Sequence, residues 1–324
     1  LNISTEKAHC AALATDRGGG YISVTGSTLK TAGSGSPLLY STGDIEVDNV
    51  TGTASGSQIA GMEGYNRIII YNSELESTND ATSGSDPVKN GVILYQSMSG
   101  DADTSSSEVA DFEAVNSKLS TAITDGAMFY VTNTKAKVVL KNTEIQTGSD
   151  DVALIQATGN DSNNWGTAGK NGGNLTFTGY GETLSGDIIT DTISSVDFYL
   201  MEGSTWTGKT EIQENSGGSA SDDTLKISVD GTSTWVVTED CSVSALSVAE
   251  GGKVLDSAGQ TVTIKSGDET IVKGDSDITV TVTGTYSDQV DAGELTKPAT
   301  KVLDRSEFDS YYGTTTKFGY AGKE

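Results

Sequence analysis

A strand-like motif that returns at a near-constant interval constrains this chain of 324 residues more than any other feature. Five segments read alike: Ile22-Ser-Val-Thr-Gly-Ser-Thr-Leu29, Ile45-Glu-Val-Asp-Asn-Val50, Ile68-Ile-Ile-Tyr-Asn-Ser-Glu-Leu75, Phe112-Glu-Ala-Val-Asn-Ser-Lys-Leu119 and Val138-Val-Leu-Lys-Asn-Thr-Glu-Ile145. Superposing Val24, Val47, Ile70, Ala114 and Leu140 gives steps of 23, 23, 44 and 26 residues, the 44 reading as two turns of 22. Self-similarity at such a period marks a repeat architecture, in which each unit buries its apolar face only by stacking on its neighbours.

A second, shorter motif alternates with the first: Pro37-Leu-Leu-Tyr40, Val92-Ile-Leu-Tyr95, Ala127-Met-Phe-Tyr130 and, more loosely, Ala11-Ala-Leu13 and Val152-Ala-Leu-Ile155. Turn signals such as Gly33-Ser-Gly-Ser36, Ser55-Gly-Ser57 and Asp125-Gly126 separate the two. A sandwich would show irregular strand spacing and two-residue hairpin turns. The interval here matches one coil of two or three strands, each pairing in parallel with its copies above and below. The handedness rule for parallel crossovers makes that coil right-handed. The expected fold is all-β: a single-stranded right-handed parallel β-helix.

Asn72, Asn116 and Asn142 share one repeat position, so the coil should stack them as a ladder of side-chain amides at a sharp inward turn. Gly26 holds that place in an earlier coil, as suits an unusual φ. Beyond residue 170 the period loosens, yet Gly203-Ser-Thr-Trp206 is echoed by Gly231-Thr-Ser-Thr-Trp235. Coils of ~28 residues and stacked tryptophans in the core or wall follow. From Asp288 the repeat stops. Residues 1–288 are therefore read as the β-helix and 289–324 as a cap or an arm packed along it. Phe308, Tyr311, Tyr312, Phe318 and Tyr320 are its expected anchors. No comparable cap precedes Leu1, so that end is expected to continue or to dock on a neighbour.

Composition agrees with a thin, extended core. Apolar residues make up 35% of the chain, and there are 39 Gly against 3 Pro. Lys and Arg total 20 against 45 Asp and Glu, a net charge of −25, which repels nucleic acid and anionic lipid. No apolar run reaches membrane-spanning length, so no membrane insertion is expected. Cys10 and Cys241 are 231 residues apart, roughly ten coils or ~45 Å along the axis, far beyond disulfide reach. Free thiols are expected.

The chemistry-bearing residues are sparse. His9 is the lone histidine; placed beside Cys10 on a strand, it would point to the opposite face and form no pair. Arg67 reads as a surface charge. No zinc spacing, nucleophile triad or phosphate loop is present. Gly148-Ser-Asp-Asp151 is the one acidic doublet on an inter-strand turn, and turn chemistry explains it without catalysis. Asp150 and Asp151, with Asp80, Asp86, Asp101, Asp103, Asp161, Asp222 and Asp223, supply the oxygen donors a structural Ca²⁺ would want, although no EF-hand or Gly-Gly-x-Gly-x-Asp repeat organises them. No other cofactor is expected. Insertions at 79–90, 99–108 and 159–173 are the expected contact loops, with Trp165, flanked by Asn163 and Asn164, as the residue for stacking on a ligand.

The stretches His9-Cys-Ala-Ala-Leu-Ala-Thr-Asp16, Leu39-Tyr-Ser-Thr-Gly-Asp-Ile45, Val50-Thr-Gly-Thr-Ala54, Gly91-Val-Ile-Leu-Tyr-Gln-Ser-Met-Ser-Gly-Asp101, Met128-Phe-Tyr-Val-Thr-Asn133 and Asn164-Trp-Gly-Thr-Ala-Gly169 through Gly172-Gly-Asn174 carry a family likeness. Across roughly residues 8–285 the chain resembles the adhesin-like, pectate-lyase-type β-helix surface proteins of anaerobic gut bacteria. The resemblance implies a secreted or cell-surface solenoid with an adhesive role and no established catalytic residues. The expectation is thus a non-catalytic extracellular module that binds a glycan or a host protein. The alternative is a structural subunit that self-associates through the solenoid ends into a filament or layer, with the C-terminal arm bridging copies.

Overall fold

A computed structural model of the chain describes residues 1–17, 19–97, 99–102, 109–161, 165–299 and 304–316. Among these, thirty strands form four sheets of twelve, eight, six and four strands. Successive strands along the chain visit different sheets, and each pairs in parallel with the equivalent strand one coil away. The exceptions lie at the C-terminal end: a hairpin of Thr263–Ser266 with Glu269–Val272, and one bridge between Leu255 and Thr261. The molecule is a parallel β-helix with three faces. The twelve-stranded sheet makes the long face, the eight-stranded sheet the second, and the six- and four-stranded sheets the third in turn.

The repeat alignment survives in the register. Val24, Val47, Ile70, Ala114 and Leu140 lie over one another, and the row continues through Gly179, Leu200 and Val229. One interval departs from the expectation. Ile70 pairs directly with Ala114, so the 44-residue interval is a single coil carrying insertions, not two coils of 22. Lengthening a corner loop costs little closure entropy, so the strands hold their register while the period between them does not.

The first motif also proves to be two strands, as in Tyr21–Thr25 followed by Thr28–Thr31. The corner between them needs one residue in the left-handed region. Gly26, Asn49, Asn72, Asn116, Asn142 and Gly181 hold it, with φ between 48° and 66°. Glycine adopts this conformation freely, and asparagine better than other residues. The amides do form a ladder, Asn142 Nδ2 donating to Asn116 Oδ1 at 3.3 Å and Asn116 Nδ2 to Asn72 Oδ1 at 3.5 Å. It ends on a carboxylate, with Asn72 Nδ2 donating to Asp48 Oδ1 at 2.7 Å. These amides line the outer surface, not an inward turn. The residue after each one points inward, and there a buried hydroxyl caps the neighbouring coil: Ser117 Oγ accepts from Ser73 N at 3.1 Å, and Ser73 Oγ from Val50 N at 3.0 Å. In a later coil Glu182 takes this role, its Oε1 accepting from Thr143 N at 2.8 Å.

Inward rows of β-branched and aromatic residues fill the core. Phe177 stacks on Phe198 at 5.2 Å, and Trp206 on Trp235 at 5.1 Å, both tryptophans fully buried and donating Nε1 to the carbonyls of Gly186 and Gly208. Cys10 and Cys241 are free and partly buried.

After the last strand ends at Ser287 the chain turns back along the long face. Tyr180 Oη donates to the Thr296 carbonyl at 2.9 Å, and Lys137 Nζ to that of Lys297 at 3.1 Å. Both carboxylate oxygens of Glu113 accept from Ala299 N, at 2.8 and 2.9 Å. Arg305 Nη1 reaches Ser23 Oγ at 2.8 Å. This is an arm laid down the axis, held mainly through its backbone. Three of the expected anchors do not hold it. Phe308, Tyr311 and Tyr312 pack on one another and stand largely exposed, Tyr311 at 82%, while Phe318 and Tyr320 lie outside the described residues. Nor is Arg67 a lone surface charge, since it pairs with the fully buried Glu46 at 3.3 Å.

Two stability predictions follow from these corners. Asn116→Gly should leave the melting temperature nearly unchanged, whereas Asn116→Val should cost about 1–2 kcal/mol, because a β-branched residue resists this backbone conformation. Equal melting temperatures in calorimetry would show that the conformation does not select the residue. For Glu182, burial raises the carboxyl to about 7, opposed by the Thr143 N–H. A carboxyl raised on folding stabilises the protein at low pH, and that contribution is lost as pH climbs from the ordinary carboxylate range through about 7. Glu182→Gln should therefore stabilise the protein at pH 8, on the order of 2 kcal/mol, with the gain vanishing near pH 4. A gain independent of pH would contradict the assignment.

Candidate functional site

The outer side of the eight-stranded face carries a groove where rings and carboxylates converge. In register along it lie Tyr40, Gly61, Ile93 and Tyr130, and two residues further along the strands Glu63, Tyr95 and Thr132. Side chains two apart on a strand share a face, so these rows form one surface. Gly61 leaves a depression between Tyr40 and Ile93, where an added Cβ would sit 3.6 and 3.5 Å from their side chains.

Two insertions wall this surface. The 79–90 segment does not project outward but folds back over earlier coils. Ser83 Oγ meets Ser57 Oγ at 2.6 Å and accepts from Gly35 N at 3.0 Å, and Lys89 Nζ ties Asp80 and Asp125 at 3.0 and 2.9 Å. The 159–173 segment brings in Trp165, whose ring lies 4.4 Å from that of Tyr95. Its carbonyl accepts from Asn171 Nδ2 at 2.8 Å. Gly166 follows at φ 76°, where a Cβ would strike Asn133 Oδ1 at 2.4 Å. The resulting cavity is about 370 Å³, with His9, Gln58, Asp86, Ser99 and Asp101 also lining it.

Glu63 lies at the centre of the floor, only 2% exposed. It accepts from Tyr40 Oη at 2.9 Å, Tyr95 Oη at 3.4 Å, Ser99 Oγ at 3.0 Å and Ser97 Oγ. Four hydroxyls saturate this carboxylate and fix the two rings. Burial pushes the Tyr40 and Tyr95 hydroxyls well above the usual phenol range. Asp86, on the wall, has one oxygen taken: Oδ2 accepts from Gln58 Nε2 at 3.0 Å and Asn90 Nδ2 at 2.9 Å. Among the described residues no hydrogen bond reaches its Oδ1. Burial pushes this carboxyl up to about 7, against the pull of the Asn90 amide. Asp101, at the edge, pairs with Arg17 Nε at 3.2 Å.

The sequence-derived site residues fare unevenly. Trp165 belongs to the groove but is 8% exposed, its face covered by Tyr95, so it serves as wall and not as an open platform. Asn163 and Asn164 lie outside the described residues, as does Asp103. Asp150 and Asp151 sit exposed in a turn where Ser149 Oγ donates to Asp151 Oδ2 at 3.3 Å. Among the described residues no three His, Cys, Asp or Glu converge there or elsewhere to hold a metal ion. His9 is in a turn at φ 56°, not on a strand, so the alternation argument against pairing it with Cys10 does not apply. Glu63, Tyr40, Tyr95 and Gln58 went unnoticed as a set. The available signal was the tyrosine recurring at the end of the second motif.

No protein-family model matches the chain, and no curated protein or solved structure does so either. The Asp86 environment can be tested directly. Carbon-detected NMR of the side-chain carboxyls should give Asp86 a midpoint near 7, well above that of an ordinary aspartate. A midpoint near 4 would contradict the packing described for this wall.

Proposed function

We propose that the chain is a non-catalytic module displayed outside the cell that binds a glycan in the groove of its eight-stranded face. The observation that carries this reading is the meeting of Tyr40, Tyr95 and Trp165 with Gln58, Glu63, Asp86 and Asp101 around one cavity of about 370 Å³. Sugars present apolar ring faces edged by hydroxyls, and such ligands are held by aromatic surfaces with a few fixed polar groups. The rigid β-helix supports the reading, since the floor residues sit on strands and the wall loops are bonded back to the coil. Saturation of Glu63 by four hydroxyls suits an orienting role better than that of an acid or nucleophile. A net charge of −25 favours neutral or cationic ligands over acidic polysaccharides.

A glycan array should give hits among neutral or amino sugars. Filling the depression with Gly61→Val should weaken those hits at least ~10-fold, with the circular dichroism spectrum unchanged. Full binding by the filled variant would exclude this groove, and an array without hits would remove the reading.

A further inference from the structure

We infer that the groove recognises a ligand bearing a protonated amine, which Asp86 receives beside the Tyr95 and Tyr40 rings. The inference deepens the glycan reading of the same groove by naming an amino sugar as its ligand class.

The argument is a contrast within one molecule. Four acids of the long face, of which Glu46 and Glu113 are fully buried, have cations of their own. Glu46 pairs with Arg67 at 3.3 Å, Glu113 and Asp111 share Lys137 at 2.9 and 3.3 Å, and Asp197 has Lys226 at 3.7 Å. In the groove the acids are supported differently. Glu63 is met by hydroxyls and Asp86 by two amides on a single oxygen, and no Lys or Arg is among the described lining residues. Arg17, at the edge, pairs with Asp101 at 3.2 Å and with Asp16 at 3.9 Å.

Neutral donors orient a carboxylate without cancelling its charge. A charge held among packed groups gains most from a counter-ion that enters with it. Gln58 and Asn90 clamp Oδ2 of Asp86, which fixes the plane of the group and leaves Oδ1 without a partner among the described residues. An ammonium at that oxygen would make a charge-assisted hydrogen bond, and the nearby ring faces add attraction for a cation. An entering ammonium also favours the ionised form of a carboxyl that burial holds at about 7.

Isothermal titration calorimetry on the intact chain at low ionic strength and neutral pH tests this with three probes. They are a β-1,4-linked glucosamine trimer with free amines, the same trimer fully N-acetylated, and spermidine. The free-amine trimer should bind at least ~10-fold more tightly than its acetylated counterpart. Asp86→Asn should abolish that difference, and Asp150→Asn, in a turn outside the groove, should preserve it. Equal affinity for the two trimers would overturn the amine inference and leave the glycan reading intact. Binding of spermidine but of neither trimer would do the reverse, and silence from all three probes would sink both.

Discussion

Parallel stacking of equivalent strands is the constraint on which everything else in this molecule rests. Because each coil pairs residue for residue with the next, one inward position becomes a continuous row, whose residues must either pack as apolar groups or find polar partners. The rows through Val47, Ile70 and Leu140 take the first course. The corner positions Ser73, Ser117 and Glu182 take the second, each accepting a backbone N–H from the adjacent coil. A buried backbone N–H left alone at a corner would cost its full desolvation, so acceptor side chains recur there, with Val50 the apolar exception. The left-handed residue just before each corner hydroxyl turns the chain sharply enough to put it inside.

The same stacking builds the groove on the outside. Outward rows on a flat parallel sheet bring Tyr40, Ile93 and Tyr130 together although they lie far apart in sequence. Insertions enter at corners, where they leave the ladder undisturbed, and two of them then supply walls. The long face shows what else an outer row can become. There Glu46 and Glu113 are paired with cations, and the arm lies across Glu113 and Lys137. The buried carboxylates Glu46 and Glu113 thus meet cations on the long face, whereas Glu63 on the eight-stranded face meets hydroxyls.

Much of the fold was legible in the residues. Aligning Val24, Val47, Ile70, Ala114 and Leu140 gave the true register, because inward side chains obey the stacking constraint directly. Counting coils from the interval failed between Ile70 and Ala114, since spacing measures loop length as well as strand recurrence. The amide ladder was foreseen, but its side of the wall was not: a left-handed asparagine turns the chain inward while its own side chain stays at the surface. Less of the groove could be read. Tyr95 aligns with Glu63 and not with Tyr40, a two-residue offset that the shared motif ending concealed. Trp165 was recognisable as a loop aromatic, yet its burial depends on Tyr95 from a different coil. Asp86 looked like one of many turn acids. Its environment comes from Gln58 and Asn90, on different coils, and local sequence does not encode that meeting.

The arm has a bearing on how the stack comes apart. In a one-dimensional array each unit senses only its immediate neighbours, and terminal units fray independently of the middle. A backbone segment bonded to Tyr180, Lys137, Glu113 and, through Arg305, to Ser23 breaks that rule. It gives coils separated along the axis a shared partner, so loosening any one of them weakens the hold on the rest. The solenoid then behaves less like a spring of separable turns and more like a bound sheaf, in which melting is collective.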